Sequence, residues 1–195
     1  MLGRWLIYLV VLSVWACVPD QTQNHGTANI YYDINGLIDV QVKALDSISP
    51  SLFKKAIIGD AKEVLEYTPI DSSWSKELMI FRAADINKPI LADSYFTVEL
   101  SDPETKTIKY ISKYPETTEV DSLLISYQET RSNPLRIYAS LSHENALFTS
   151  KKTFEISFLQ ENNRSLISGY KIRGWQKMIS RESTAYILET AIKYP

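Results

Sequence analysis

From Ser94 to the end of the chain the apolar residues recur at every second position, and this alternation limits the fold more than any other feature. Phe154, Ile156 and Phe158 point one way, while Thr153, Glu155 and Ser157 point the other. Leu135, Ile137, Ala139 and Leu141 repeat the pattern, as do Leu123, Ile125 and Tyr127. Strands are therefore expected at 95–100, 107–111, 122–128, 135–141, 153–159, 165–174 and 186–194. The connections are polar: Ser101-Asp102-Pro103, Ser132-Asn133-Pro134, His143-Glu144-Asn145 and Glu161-Asn162-Asn163. Strands with one dry and one wet face, joined by short polar turns, describe an antiparallel meander.

Before Ser94 the period is different. Ile34, Ile38, Val42 and Leu45 fall on one helical stripe, with Asp33 as the N-cap and Pro50 as the stop. Gly36 inside it costs up to about 1 kcal/mol. Leu52–Ile58 and Glu63–Tyr67 flank Gly59-Asp60 as a hairpin or a short extended pair. A second helix is expected after Asp71 or Ser73, with Trp74, Leu78 and Phe81 on its apolar side and Asp85-Ile86-Asn87-Lys88-Pro89 ending it. An apolar sheet face must be covered, and these helices are the obvious cover. The predicted fold is α+β: N-terminal amphipathic helices packed on a strongly twisted, half-barrel-like antiparallel meander.

The only cysteine, Cys17, follows a short apolar run that begins after Arg4. A basic start, an apolar stretch and a small residue before the cysteine have the form of a signal segment. Val14-Trp15-Ala16-Cys17 resembles the lipobox of bacterial lipoproteins, with bulky Trp15 as its departure from the pattern. Acylation needs the thiol, and stable anchoring needs more than one chain. Plain secretion, a permanent membrane helix or a first cytosolic helix are the competing readings; the run is short for a span. The expected organisation is a lipoprotein signal at 1–16, a flexible tether at 17–29 and one α+β domain at 30–195. Cleavage before Cys17 removes one basic residue, leaving 20 basic against 23 acidic. Such a balance gives no footprint for nucleic acid.

Tyr31-Tyr32-Asp33-Ile34, Trp74-Ser75-Lys76-Glu77-Leu78 with Phe81, Asp85-Ile86-Asn87-Lys88-Pro89, Gly169-Tyr170-Lys171-Ile172 and Gly174-Trp175-Gln176-Lys177 span most of the mature chain. Together they resemble a family of uncharacterised lipoproteins of Bacteroidetes-type Gram-negative bacteria. The resemblance implies an envelope lipoprotein and carries no catalytic residues. Asp46-Ser47-Ile48 and Asp121-Ser122-Leu123 also resemble the Asp-Ser/Thr-aliphatic O-glycosylation pattern of that group, a three-letter pattern that recurs by chance.

Catalytic signals are sparse. His25 falls in the tether and His143 in a predicted turn, neither with a visible triad partner. No HExxH, CxxC, GxSxG, P-loop or GxGxxG spacing occurs, so no metal or cofactor is implied. Asp85, Asn87 and Lys88 form the best polar cluster, as a binding site or as a helix stop. Glu116, Glu119 and Asp121 form an acidic loop that could hold a cation or lie in solvent. Trp74 and Trp175 read as core anchors. The expected function is a non-enzymatic binding or assembly module on the periplasmic side of the outer membrane, held by acylated Cys17 and meeting another envelope protein or lipid. The alternative is a lipid or lipoprotein carrier with an apolar concave pocket. The two differ in whether Trp74, Leu78 and Phe81 fill the sheet's apolar face.

Overall fold

The structure, a computed structural model, describes residues 29–70, 73–161 and 164–195. Cys17, His25, the signal and nearly all of the tether lie outside the described residues. The chain is mainly antiparallel sheet with some helix. Helix α1 (Ile34–Ile48) leads into the hairpin β1 (Ser51–Ile58) and β2 (Ala61–Tyr67). Helix α2 (Ser73–Leu78) tightens into a 3₁₀ turn at Met79–Ala84. Seven strands follow: β3 (Tyr95–Ser101), β4 (Lys106–Ser112), β5 (Val120–Tyr127), β6 (Pro134–Glu144), β7 (Phe148–Glu161), β8 (Arg164–Met178) and β9 (Thr184–Lys193).

The expected meander is present as β3 to β9. The hairpin extends it, because β1 pairs with β9 and gives the open order β2-β1-β9-β8-β7-β6-β5-β4-β3. Gly59 sits at φ +55°, the left-handed conformation that glycine accepts at the first central position of a tight hairpin turn. Strands β6, β7 and β8 run several residues past their predicted ends.

Asp33 caps α1 as expected, accepting from the Gly36 N–H at 2.8 Å. A Cβ on residue 36 would come within 2.4 Å of the Asp33 carboxylate, so the glycine that weakens the helix interior makes room for its cap. Ser49, left-handed before Pro50, ends the helix. The apolar stripe differs from expectation at one place. Val42 is half-buried, and Gln41 is buried with Ile34, Ile38 and Leu45. Its amide donates to the Ser165 carbonyl at 2.8 Å and accepts from the Ile167 N–H at 3.0 Å. There β8 has run past the last residue that β9 pairs, Gly169. Gln41 supplies the missing strand partners.

Trp74, Leu78 and Phe81 are fully buried, though Phe81 lies in the 3₁₀ turn rather than in α2. The Phe81 ring meets Phe154 and Tyr170 edge-on at 5.0 and 4.9 Å. Glu77 accepts from the Tyr170 hydroxyl and from Lys54 Nζ, the latter at 2.7 Å, which ties α2 to both β8 and β1. Burial first, and the neighbouring carboxylate second, push the Tyr170 hydroxyl pKa up.

Trp175 departs from expectation. It is 38% exposed, because alternation along β8 puts Tyr170 and Ile172 on the covered face and Trp175 on the other.

Candidate functional site

The Asp85-Asn87-Lys88 cluster is mostly turned inward. Asn87 Oδ1 accepts from the Tyr31 N–H at 2.9 Å, and its Nδ2 donates to the Tyr32 carbonyl at 3.0 Å. Asp85 accepts from the Asn87 N–H at 3.0 Å and from Asn35 Nδ2 at 2.7 Å. Tyr31 itself lies edge-on to Tyr95 and Tyr110, and its hydroxyl donates to the Ala92 carbonyl at 2.7 Å. The two side chains therefore clasp the segment entering α1 to the segment leaving the 3₁₀ turn. Lys88 is exposed and takes no part in the clasp.

The acidic residues Glu116 and Glu119 of the β4–β5 loop and Asp121 of β5 do not converge. Asp121 accepts from Ser140 Oγ at 3.0 Å and from Ser142 Oγ, Glu119 lies 3.4 Å from His143 Nδ1, and Glu116 is exposed. Among the described residues no group of three His, Cys, Asp or Glu side chains could hold a metal ion. Of the serines in the glycosylation patterns, Ser47 is exposed on α1 and Ser122 is half-buried within β5.

Two depressions stand out among the described residues. The first, about 460 Å³, lies on the uncovered sheet face over the small residues Ser157, Gly169 and Ala191, which share one register row with Phe53. Its charged rim is self-satisfied. Lys55, Glu189, Lys171 and Glu155 follow one another across four strands. Glu189 bonds both lysines, at 3.3 Å to Lys55, and Lys171 and then Lys55 hold its carboxyl below the usual range. Glu155 pairs with Arg136 at 3.2 Å.

The second, about 310 Å³, opens on the covered face where the helical layer stops. Ala83 of the 3₁₀ turn and Leu141 line its apolar side. The His143 ring, stacked on Phe148 at 5.1 Å, forms one wall, and Tyr186 lines it too. Ser150, Lys152 and Gln176 line it with polar atoms that have no hydrogen-bond or ion-pair partner among the described residues. Gly174 lies beneath Tyr186, and a Cβ there would come within 2.6 Å of its hydroxyl. His143, expected in a turn, is the penultimate residue of β6. Its Nε2 lies 3.2 Å from Asn145 Nδ2, so both ring nitrogens are engaged, and among the described residues no hydroxyl or thiol is paired with either. Free donors beside aromatic walls suit the binding of a small polar or anionic group. Sequence reasoning missed this cleft, whose members come from β6, β7, β8 and β9.

Comparison with family models, curated proteins and solved structures finds no match to the chain. Among the described residues no helix is long and apolar enough to cross a membrane.

Proposed function

We propose that the chain is an envelope lipoprotein, anchored in the outer membrane through acylated Cys17, whose folded part is a non-enzymatic binding or assembly module facing the periplasm. We further propose that the sheet curls around the helices as a half-barrel, as antiparallel sheets of this length twist. One observation favours the module over a carrier. Trp74, Leu78 and Phe81 are at most 1% exposed and occupy the space under the sheet that an acyl chain would need. Both depressions lie elsewhere and are lined by polar as well as apolar residues.

Native mass spectrometry of the unacylated chain tests the module reading, with a lipid-free monomer as the expected result. A stoichiometric fatty acid or phospholipid would replace it with the carrier. Intact mass and detergent partitioning test the anchor separately. Cys17→Ala should move the protein to the aqueous phase, and a wild-type chain without acyl mass would end the lipoprotein reading.

A further inference from the structure

Two hairpin tips meet at the end of the sheet beyond the helices. The β6–β7 turn carries Leu147, and Met178 and Ile179 lie where β8 enters its turn to β9. The Ile179 N–H donates to the Leu147 carbonyl at 3.0 Å, and Met178 lies in register with Phe148. Leu147, Met178 and Ile179 are 68%, 46% and 78% exposed. Four residues back along β8 from Ile179, about 13 Å at strand rise, stands Trp175. Arg173 and Lys177 flank it on the same face, and Lys151 lies directly across from it on β7. Asp121, 4.0 Å from Lys151, is the one carboxylate paired with these cations among the described residues. Over 143–152 and 173–185 five basic residues stand against two acidic, Glu144 and Glu182, while the whole chain carries −2.

We propose that this end of the sheet docks on an anionic lipid bilayer. From tip to base it presents apolar points and then an amphipathic indole set among cations. A bilayer leaflet offers the same sequence, hydrocarbon first and then an interface where indoles and anionic headgroups lie together. A protein partner fits less well, because the apolar side chains stand on turns and form no flat patch, and the cations around Trp175 share one sign. The inference does not require acylated Cys17, so either can fail without the other.

The test uses unacylated residues 18–195, since among the described residues every buried member of the hydrophobic core lies between Tyr31 and Ile192. That span holds two tryptophans, Trp175 and the buried Trp74, so a change in emission on adding vesicles reports Trp175. Mixed phosphatidylglycerol–phosphatidylcholine vesicles should shift its emission to the blue and sediment the protein, and added salt should reverse both. The double variant Leu147→Ser/Ile179→Ser should bind about tenfold more weakly or worse, given the apolar transfer it loses, and should melt as wild type. The absence of any shift at low salt would overturn the proposal without recourse to the variant. So would equal binding by the double variant, or a dimer that the double variant dissolves, which would assign the tips to a second copy of the chain.

Discussion

The same three strands, β6, β7 and β8, live in two environments. Under the helices their inward residues Ile137, Phe154, Ile156 and Ile172 are at most 1% exposed and touch other apolar groups. Past the end of the helical layer the same face carries His143, Ser150 and Gln176 around a cleft. The alternation runs unbroken across this boundary, from Ile137 to His143, Phe154 to Ser150 and Ile172 to Gln176, but the chemistry of the inward positions changes where the cover stops. A strand face is apolar only for as long as something lies on it, so the residue types along one strand mark the edge of the layer above.

Tryptophan substitutions give the sharpest contrast between the two regions. Trp74→Ala should cost about 3–5 kcal/mol in chemical denaturation, whereas Trp175→Ala should stay within about 0.5 kcal/mol. Comparable losses at both sites would erase the distinction. The Trp74 indole N–H is buried without a partner among the described residues, so Trp74→Phe should cost clearly less than Trp74→Ala. Gln41→Ala comes next. It strands the Ser165 carbonyl and the Ile167 N–H and should cost about 1–3 kcal/mol, with faster hydrogen exchange at Ile167. Unchanged exchange would mean that the bond is not made in solution.

A smaller effect should appear at high pH. Burial pushes the Tyr95 hydroxyl from 10.0 up to about 12, and it donates to the Val120 carbonyl at 3.0 Å. Its folded-state pKa is raised, so its contribution is fully present below pH 10 and drains away as pH rises towards 12. Tyr95→Phe should flatten that part of the stability profile, and an equally steep fall in the variant would assign the loss to other groups. The smallest effect belongs to the cleft, where His143→Ala should change stability by no more than about 0.5 kcal/mol. A larger loss would show that the cleft is part of the packed structure after all.

Much of this was legible in the residues. Asp33 as a cap, the Gly59 turn, the buried Trp74-Leu78-Phe81 series and the seven later strands all follow from local period and local chemistry. Gln41 was missed because a stripe search counts apolar residues only. Its position between Ile38 and Leu45, three after one and four before the other, was the available signal. Trp175 was put in the core on residue type, though counting by twos from Ile172 would have placed it outside. Asn87 reads as a helix stop because its neighbours are helical, while its partners Tyr31 and Tyr32 lie more than fifty residues away. The pairing of β1 with β9 has no local trace, since backbone ladders between distant segments carry no signature in either segment alone.

That pairing has a consequence for the order of events in folding. The backbone ladders of the first strand join it only to its hairpin mate and to the last strand. During synthesis the β1–β2 hairpin has no place in the sheet until the final ten or so residues have emerged, because an isolated two-stranded hairpin is marginal in water. Ribosome-bound chains truncated before Thr184 should therefore leave that hairpin open to protease. The closing contact spans nearly the whole folded chain, so its loop-closure cost falls on the last pairing to form.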